Sequence, residues 1–193
     1  MLELQELKKM LFDGTAFEMK MAIDTIHDVE DKRKLKPLLE PLMDVAQNDR
    51  NCTKRRAAIA ALGEIGDKRA TDLLLKILKE GASLDEANVS LKQLFEDGPF
   101  SMSRMSGAFT SELPKVRTGA AIALGLVGYT RAVQPLIDTL QNDWAWNVKG
   151  AAAIALGVLG NESAIPVLQF VAKTDSDEFV REQAQEALLK LKK

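Results

Sequence analysis

Three ten-residue segments of this chain are near copies of one another, and they constrain its fold more than any other feature. The segments AAIAALGEIG, GAAIALGLVG and AAAIALGVLG occupy residues 57–66, 119–128 and 151–160. Alignment on their Leu-Gly pair places Gly63, Gly125 and Gly157 at one position, with separations of 62 and 32 residues. Repeats of roughly 30–45 residues are typical of stacked helical hairpins. The sequence therefore predicts an array of paired helices.

The repeat extends toward both ends of the chain. Residues around His27 match those around Gly63, and residues 180–191 match residues 148–159. The separation of 62 residues leaves room for one extra repeat, which fits degenerately at Val89, Leu91 and Leu94. We therefore expect one all-α domain over residues 1–193, an α-solenoid of about six helical hairpins, with a degenerate central repeat at about residues 79–114.

Each predicted hairpin has a second helix that is rich in alanine and ends at a glycine. That glycine can adopt the left-handed conformation that closes many helices. The next hairpin then begins with a first helix, expected over residues 69–79, 131–142 and 163–173. Because the small residues allow neighbouring second helices to approach closely, we expect these helices to form the inner face of a curved array.

The full repeat reads V-R-x-x-A-A-x-A-L-G-x-x-G-(D/N)-x-x-A-h-x-P-L, where h is apolar. This pattern resembles the HEAT repeats of the phycobilisome-lyase-like (E-Z) subtype and covers nearly the whole chain. The resemblance implies an α-α superhelix. It specifies fold more than activity, since such repeats occur in scaffolds, in chaperone-like proteins and in a few enzymes.

Acidic and basic residues recur at a constant spacing and form a predicted polar ladder. An aspartate precedes a base by six residues in three repeats, and Arg117 holds the basic position in a fourth. In the central repeat, Glu80 and Glu86 hold the two positions, so the acid–base pair is expected to be lost there. The preferred interpretation is a structural network, and the alternative is a basic stripe for phosphate or an acidic partner. The ladder comprises Asp49, Arg55, Arg117, Asp143, Lys149, Asp175 and Arg181.

Two groups of apolar residues are candidates for binding a partner. The central repeat contains Met102, Met105 and Phe109 in a stretch rich in serine and glycine, and methionine gives adaptable apolar contacts. Trp144 and Trp146 lie two residues apart, so they cannot share one face of a helix. We expect one tryptophan to pack between hairpins and the other to be exposed. For both groups, ordinary packing is the alternative.

The sequence contains no catalytic or metal-binding constellation that we recognise. His27 lacks a second histidine or cysteine partner, and Cys52 is the single cysteine. Iron enzymes built on HEAT-like repeats use several His-Glu pairs, whereas this chain has one histidine. The net charge of −2 makes nucleic-acid binding unfavourable, and no apolar run is long enough to span a membrane. We expect a cytoplasmic protein without cofactor or metal.

The sequence thus favours a non-enzymatic scaffold that binds a protein partner. The alternative is a bilin lyase-like or chaperone-like accessory protein that handles a bulky apolar ligand. If the chain were an enzyme, the resemblance would imply a phycobilin lyase-like activity.

Overall fold

The computed structural model describes residues 4–80 and 112–192, which form ten α-helices and, within those ranges, no strand. This composition confirms the all-α class. Short 3-10 turns lead into every first helix from the second pair onward. The helices are α1 Leu4–Phe12, α2 Ala16–Asp28, α3 Leu39–Asn48, α4 Cys52–Ile65, α5 Thr71–Lys79, α6 Glu112–Val127, α7 Val133–Asn142, α8 Trp146–Leu159, α9 Ile165–Thr174 and α10 Glu178–Leu191.

The helices pack as five consecutive pairs, each with an odd-numbered first helix and an even-numbered second helix. From α4 onward, successive second helices contact one another along much of their length, whereas successive first helices contact one another at few positions. The second helices therefore lie closer together than the first helices do. The array consequently curves, with the exposed side chains of the second helices on its inner face.

Local signals at the helix ends explain where several helices begin and stop. Thr15 and Glu18 form a capping box at the start of α2, and Asn51 accepts backbone N–H groups at the start of α4. The second helices α4 and α8 end at Gly66 and Gly160, which have φ of 69° and 67°. A residue with a Cβ is strained in that conformation, so glycine is required where the chain turns toward the next pair.

The Leu-Gly glycines are the points at which neighbouring second helices meet. A Cβ added to Gly63, Gly125 or Gly157 would lie 2.9 Å from a backbone Cα of the following second helix. The atoms it would meet belong to Ala123, Ala155 and Ala187, respectively. Only a hydrogen fits in that space, so the repeated glycine sets how closely the second helices pack.

The contact of Gly63 with Ala123 also shows that α4 and α6 are direct neighbours. The expectation that an extra repeat is stacked between these two helices is therefore wrong, because no space for a helix exists there. Instead, α6 pairs with α5: Arg117 Nε donates to Leu78 O at 2.9 Å, just as Arg55 Nε donates to Ala46 O at 3.0 Å.

The two helices of the third pair are thus separated in sequence by the residues between Glu80 and Glu112. Most of the degenerate central repeat expected at about residues 79–114 lies outside the described residues. The described residues form five helical pairs, whereas the sequence predicts about six.

Two glycines of α6 allow a direct test of the close approach. Gly125→Ala should destabilise the protein by about 1–3 kcal/mol, because the new methyl group overlaps the backbone of Ala155. Gly119→Ala should stabilise it by about 0.5–1 kcal/mol, because among the described residues its Cβ would meet only Ile59 Cγ2, at 3.5 Å, and alanine favours helix. Urea unfolding of both variants measures the difference, and equal effects would refute this account of the packing.

Candidate functional site

The charged side chains of the polar ladder connect one helical pair to the next. Three of the four ladder bases reach an acid of the following pair and not the residue six positions before them in sequence. Each preceding aspartate instead accepts a backbone N–H in its own turn, as Asp49 does from Asn51 at 2.7 Å. The three ion pairs are Arg55–Glu80, Arg117–Asp143 and Lys149–Asp175.

The ion pair of Arg55 with Glu80, at 3.3 Å, differs from the sequence expectation. Glu80 was expected to belong to a repeat without an acid–base pair, yet it accepts from the base of the preceding pair. On the last described helix, Arg181 donates to the backbone oxygen of Asp175 at 2.7 Å. The bases are thus held within the structure and are not presented as a stripe on the inner face.

The central ion pair is buried, and this determines its energetics. The side chains of Arg117 and Asp143 are 0% and 1% exposed. Asp143 also accepts the backbone N–H of Ala145 at 2.9 Å. Burying two charges has a large desolvation cost, so removing one partner and leaving the other buried is strongly destabilising.

Asp143→Ala should therefore lower the free energy of unfolding by about 3–5 kcal/mol, because it leaves the Arg117 guanidinium buried without its carboxylate. Glu80→Gln is the matched control, since its pair is partly exposed and is expected to contribute about 0–1 kcal/mol. Chemical denaturation of both variants gives the two values. A loss in Asp143→Ala no larger than that of a helix cap, about 1 kcal/mol, would contradict this account.

The inner face of the solenoid carries apolar side chains that the core does not cover. Ile122, Leu126 and Val158 are 39%, 44% and 49% exposed, and they lie on the second helices α6 and α8. Leu126 Cδ1 lies close to Gly63, where an added Cβ would be 3.3 Å away. Exposed apolar side chains that cluster on one face are a common mark of an interaction surface.

An open groove of about 350 Å³ lies at one end of this face, between α2, α4 and α6. Three exposed cations, Lys20, Arg56 and Lys115, line it together with small and apolar residues. No acidic residue is among its described lining residues. We call this feature the basic groove; its lining residues are Ala16, Met19, Lys20, Ile23, Thr53, Arg56, Ala57, Ala60, Lys115, Thr118, Gly119 and Ile122.

The two tryptophans occupy different environments. Trp144 is half-buried and packs against the hydrophobic core. Trp146 is 54% exposed and makes an edge-to-face contact with Phe179, with ring centroids 5.5 Å apart. The Phe179 ring also covers Gly150, so this aromatic pair lies along α8 and α10 at the other end of the array from the basic groove.

The remaining candidates from the sequence, Met102, Met105 and Phe109, lie outside the described residues. The basic groove was missed, because its three cations are far apart in sequence and do not share the ladder position. The basic groove could have been found by comparing the charges at exposed positions of the aligned second helices. That comparison needs α4 and α6 to be recognised as neighbours, which the inferred extra repeat concealed.

His27 occupies the position of the Leu-Gly glycine on α2 and makes a contact with the next second helix. Its Nδ1 lies 2.7 Å from Glu64 Oε2 on α4. The hydrogen bond with Glu64 raises the pKa of His27 above its ordinary value, and the negative charges of Glu64 and Asp28 add to this effect. The imidazole stays exposed, which fits a surface contact between second helices.

Because the folded state raises the pKa of His27, the contact with Glu64 stabilises the protein most at pH values below the unfolded pKa of about 6.5. The contribution is lost as pH rises through the folded pKa. We expect the NMR titration of this single histidine to give a pKa above that of a free imidazole, and Glu64→Gln to lower it. An unchanged titration in Glu64→Gln would contradict the assigned pairing.

Neither a metal-binding cluster nor a membrane-spanning helix occurs among the described residues. They contain no group of three or more His, Cys, Asp or Glu side chains placed to hold a metal ion. None of the described helices is both long enough and apolar enough to cross a membrane. Cys52 lies half-buried at the start of α4.

Comparison with known proteins places this architecture among repeat proteins. The profile of HEAT repeats matches residues 103–189, and the profile of the PBS lyase HEAT-like repeat matches residues 54–80. The chain is 46% identical over 54 residues to the phycocyanobilin lyase subunit alpha of Picosynechococcus sp. (strain ATCC 27264 / PCC 7002 / PR-6). That match covers 28% of this chain and 20% of the relative.

A structure of human deoxyhypusine hydroxylase in complex with glycerol is also similar over 98% of this chain and 84% of the other chain. Its sequence identity is 19% and its TM-score is 0.38. At this level, the likeness adds nothing to what the helical pairs already show.

Proposed function

Because this chain belongs to the phycobilisome-lyase-like HEAT-repeat family, we propose that it is a non-enzymatic cytoplasmic scaffold that holds a protein partner on its inner face. The observation that carries the proposal is the exposed apolar surface formed by Ile122, Leu126 and Val158 on neighbouring second helices. Exposure of these apolar side chains to water is unfavourable, and a bound partner would bury them.

The distribution of charge supports binding over catalysis. The bases of the ladder are committed to ion pairs or backbone carbonyls, so they hold the repeats together and do not activate a substrate. Trp146 and Phe179 add a large aromatic contact area near the far end of the same face. Tryptophan contributes strongly to binding where a partner covers it. Met102, Met105 and Phe109 remain proposed contributors to the same interaction.

A pull-down from the source organism, with identification by mass spectrometry, tests the proposal and supplies the partner. Ile122→Glu combined with Val158→Glu should weaken capture of that partner by at least about tenfold, since it places two charges on the apolar surface. The matched control is Gln169→Glu combined with Phe170→Glu, which adds the same charge at two exposed residues of the first helix α9, away from the inner face. We expect the control to bind normally.

Circular dichroism and thermal unfolding of both double variants establish that each remains folded. Equal loss of binding in the two variants, or full binding by the inner-face variant, would refute the placement of the partner on this surface.

A second candidate function is that of a lyase-like or chaperone-like accessory that handles a bilin. The observation that favours it is the 46% identity to the phycocyanobilin lyase subunit alpha, although the match extends over only 54 residues. A shift of the visible absorbance of phycocyanobilin on mixing with the chain, lost in the inner-face double variant, would favour this function. Capture of one protein without any chromophore would favour the scaffold.

A further inference from the structure

We propose that the basic groove binds a segment of the partner that is both acidic and apolar, with its carboxylates placed on Lys20, Arg56 and Lys115. This inference rests on the proposed scaffold function and specifies the chemistry of the partner. It concerns a site that is separate from the ladder, whose bases are already paired.

The three cations of the basic groove have no counter-charge within the described structure. No ion pair with a described residue is formed by Lys20, Arg56 or Lys115. Three exposed arginines elsewhere do pair with an acid: Arg33 with Asp31, Arg69 with Asp67 and Arg131 with Asp72. The three unpaired cations line one groove, so they produce a local positive potential that is available to a ligand.

The position of the groove strengthens that potential. Lys20 and Arg56 are the fifth residues of α2 and α4, and Lys115 is the fourth residue of α6, so the groove lies toward the N-terminal, positive ends of these helices. Packed helices lie about 8–10 Å apart, so the three cations form a row of widely spaced charges instead of one cluster. An extended segment with acidic residues at intervals matches such a row.

The floor of the groove has the opposite character, since it consists of small and apolar side chains. Its lining includes Ile23 and Ile122, and Ala57, Ala60 and Gly119 have no long side chain that could fill it. A ligand that carried only charge would leave these groups in contact with water. A segment with apolar residues between its acids would bury them and also neutralise the cations.

The charge at one aligned position changes steadily along the inner face. This position is basic on the first two second helices, neutral on the next two and acidic on the last. Its occupants are Lys20, Arg56, Thr118, Gly150 and Glu182. Glu186 adds a second exposed acid on α10. A partner with the complementary order of charges would be held in one direction, since reversal would place like charges together.

This gradient also favours a peptide over nucleic acid or a membrane. A polyanion long enough to follow the face would meet Glu182 and Glu186 at the far end. The whole chain has 28 acidic and 26 basic residues, so it offers no general attraction to a phosphate backbone or an anionic lipid surface. A segment whose acidic residues all lie at one end can place them in the basic groove and keep them away from Glu182 and Glu186.

Three labelled peptides of equal length test the proposal on the intact chain by fluorescence anisotropy. All have leucines at fixed positions, and the intervening positions carry glutamate, glutamine or lysine. We expect the glutamate peptide to bind at least about tenfold more tightly than the glutamine peptide, and its affinity to fall as salt rises. A fourth peptide, with serine in place of leucine, should lose binding even though it keeps its acids.

Reversing the charges of the three cations of the basic groove is the decisive experiment. Lys20→Glu, Arg56→Glu and Lys115→Glu together should abolish binding of the glutamate peptide and create binding of the lysine peptide. The control Lys34→Glu, Lys76→Glu and Lys173→Glu has the same formal net charge and should behave as the unaltered protein. Circular dichroism shows that both remain folded, and binding of the lysine peptide is a gain that unfolding cannot produce.

Two outcomes would overturn the proposal. One is equal binding of the glutamate and glutamine peptides, and the other is tighter binding to phosphatidylserine vesicles than to the glutamate peptide. The partner captured in the pull-down separates this inference from the proposed function. If the inner-face double variant loses that partner while the charge-reversed variant keeps it, the scaffold function stands and the acidic segment is refuted.

Discussion

The close contact between successive second helices is the constraint on which the rest of the structure depends. At Gly63, Gly125 and Gly157, an alanine of the next helix approaches so closely that no side chain fits. Since first helices carry larger apolar residues and stay further apart, the array curves toward the second helices. The same packing leaves one side of each second helix exposed, and these exposed sides together form the inner face.

The polar ladder follows from this packing, because it requires neighbouring pairs to lie in a fixed register. Each base spans from one pair to an acid of the next, so the ion pair can form only when successive pairs are correctly placed. The buried pair of Arg117 with Asp143 lies at the centre of the array, where an error in register would leave two charges unsatisfied. The ladder thus contributes to the specificity of stacking as well as to stability.

The sequence predicted the helical pairs, their glycine ends and the internal position of the ladder, because these features repeat at a constant spacing. The order of stacking was not predicted correctly, since a separation of 62 residues between Gly63 and Gly125 was interpreted as two repeats. The structure shows that the added residues separate α5 from α6 within one pair. Sequence spacing cannot distinguish an inserted repeat from an insertion inside a repeat when the added length is close to one period.

That misassignment explains why the basic groove was missed. Lys20, Arg56 and Lys115 come from three helices that are consecutive in space but not evenly spaced along the chain. None of the three holds a ladder position, and none forms an ion pair with a described acid. The ladder neutralises the bases that hold the repeats together, and the charges left on the inner face are therefore those that remain available for recognition.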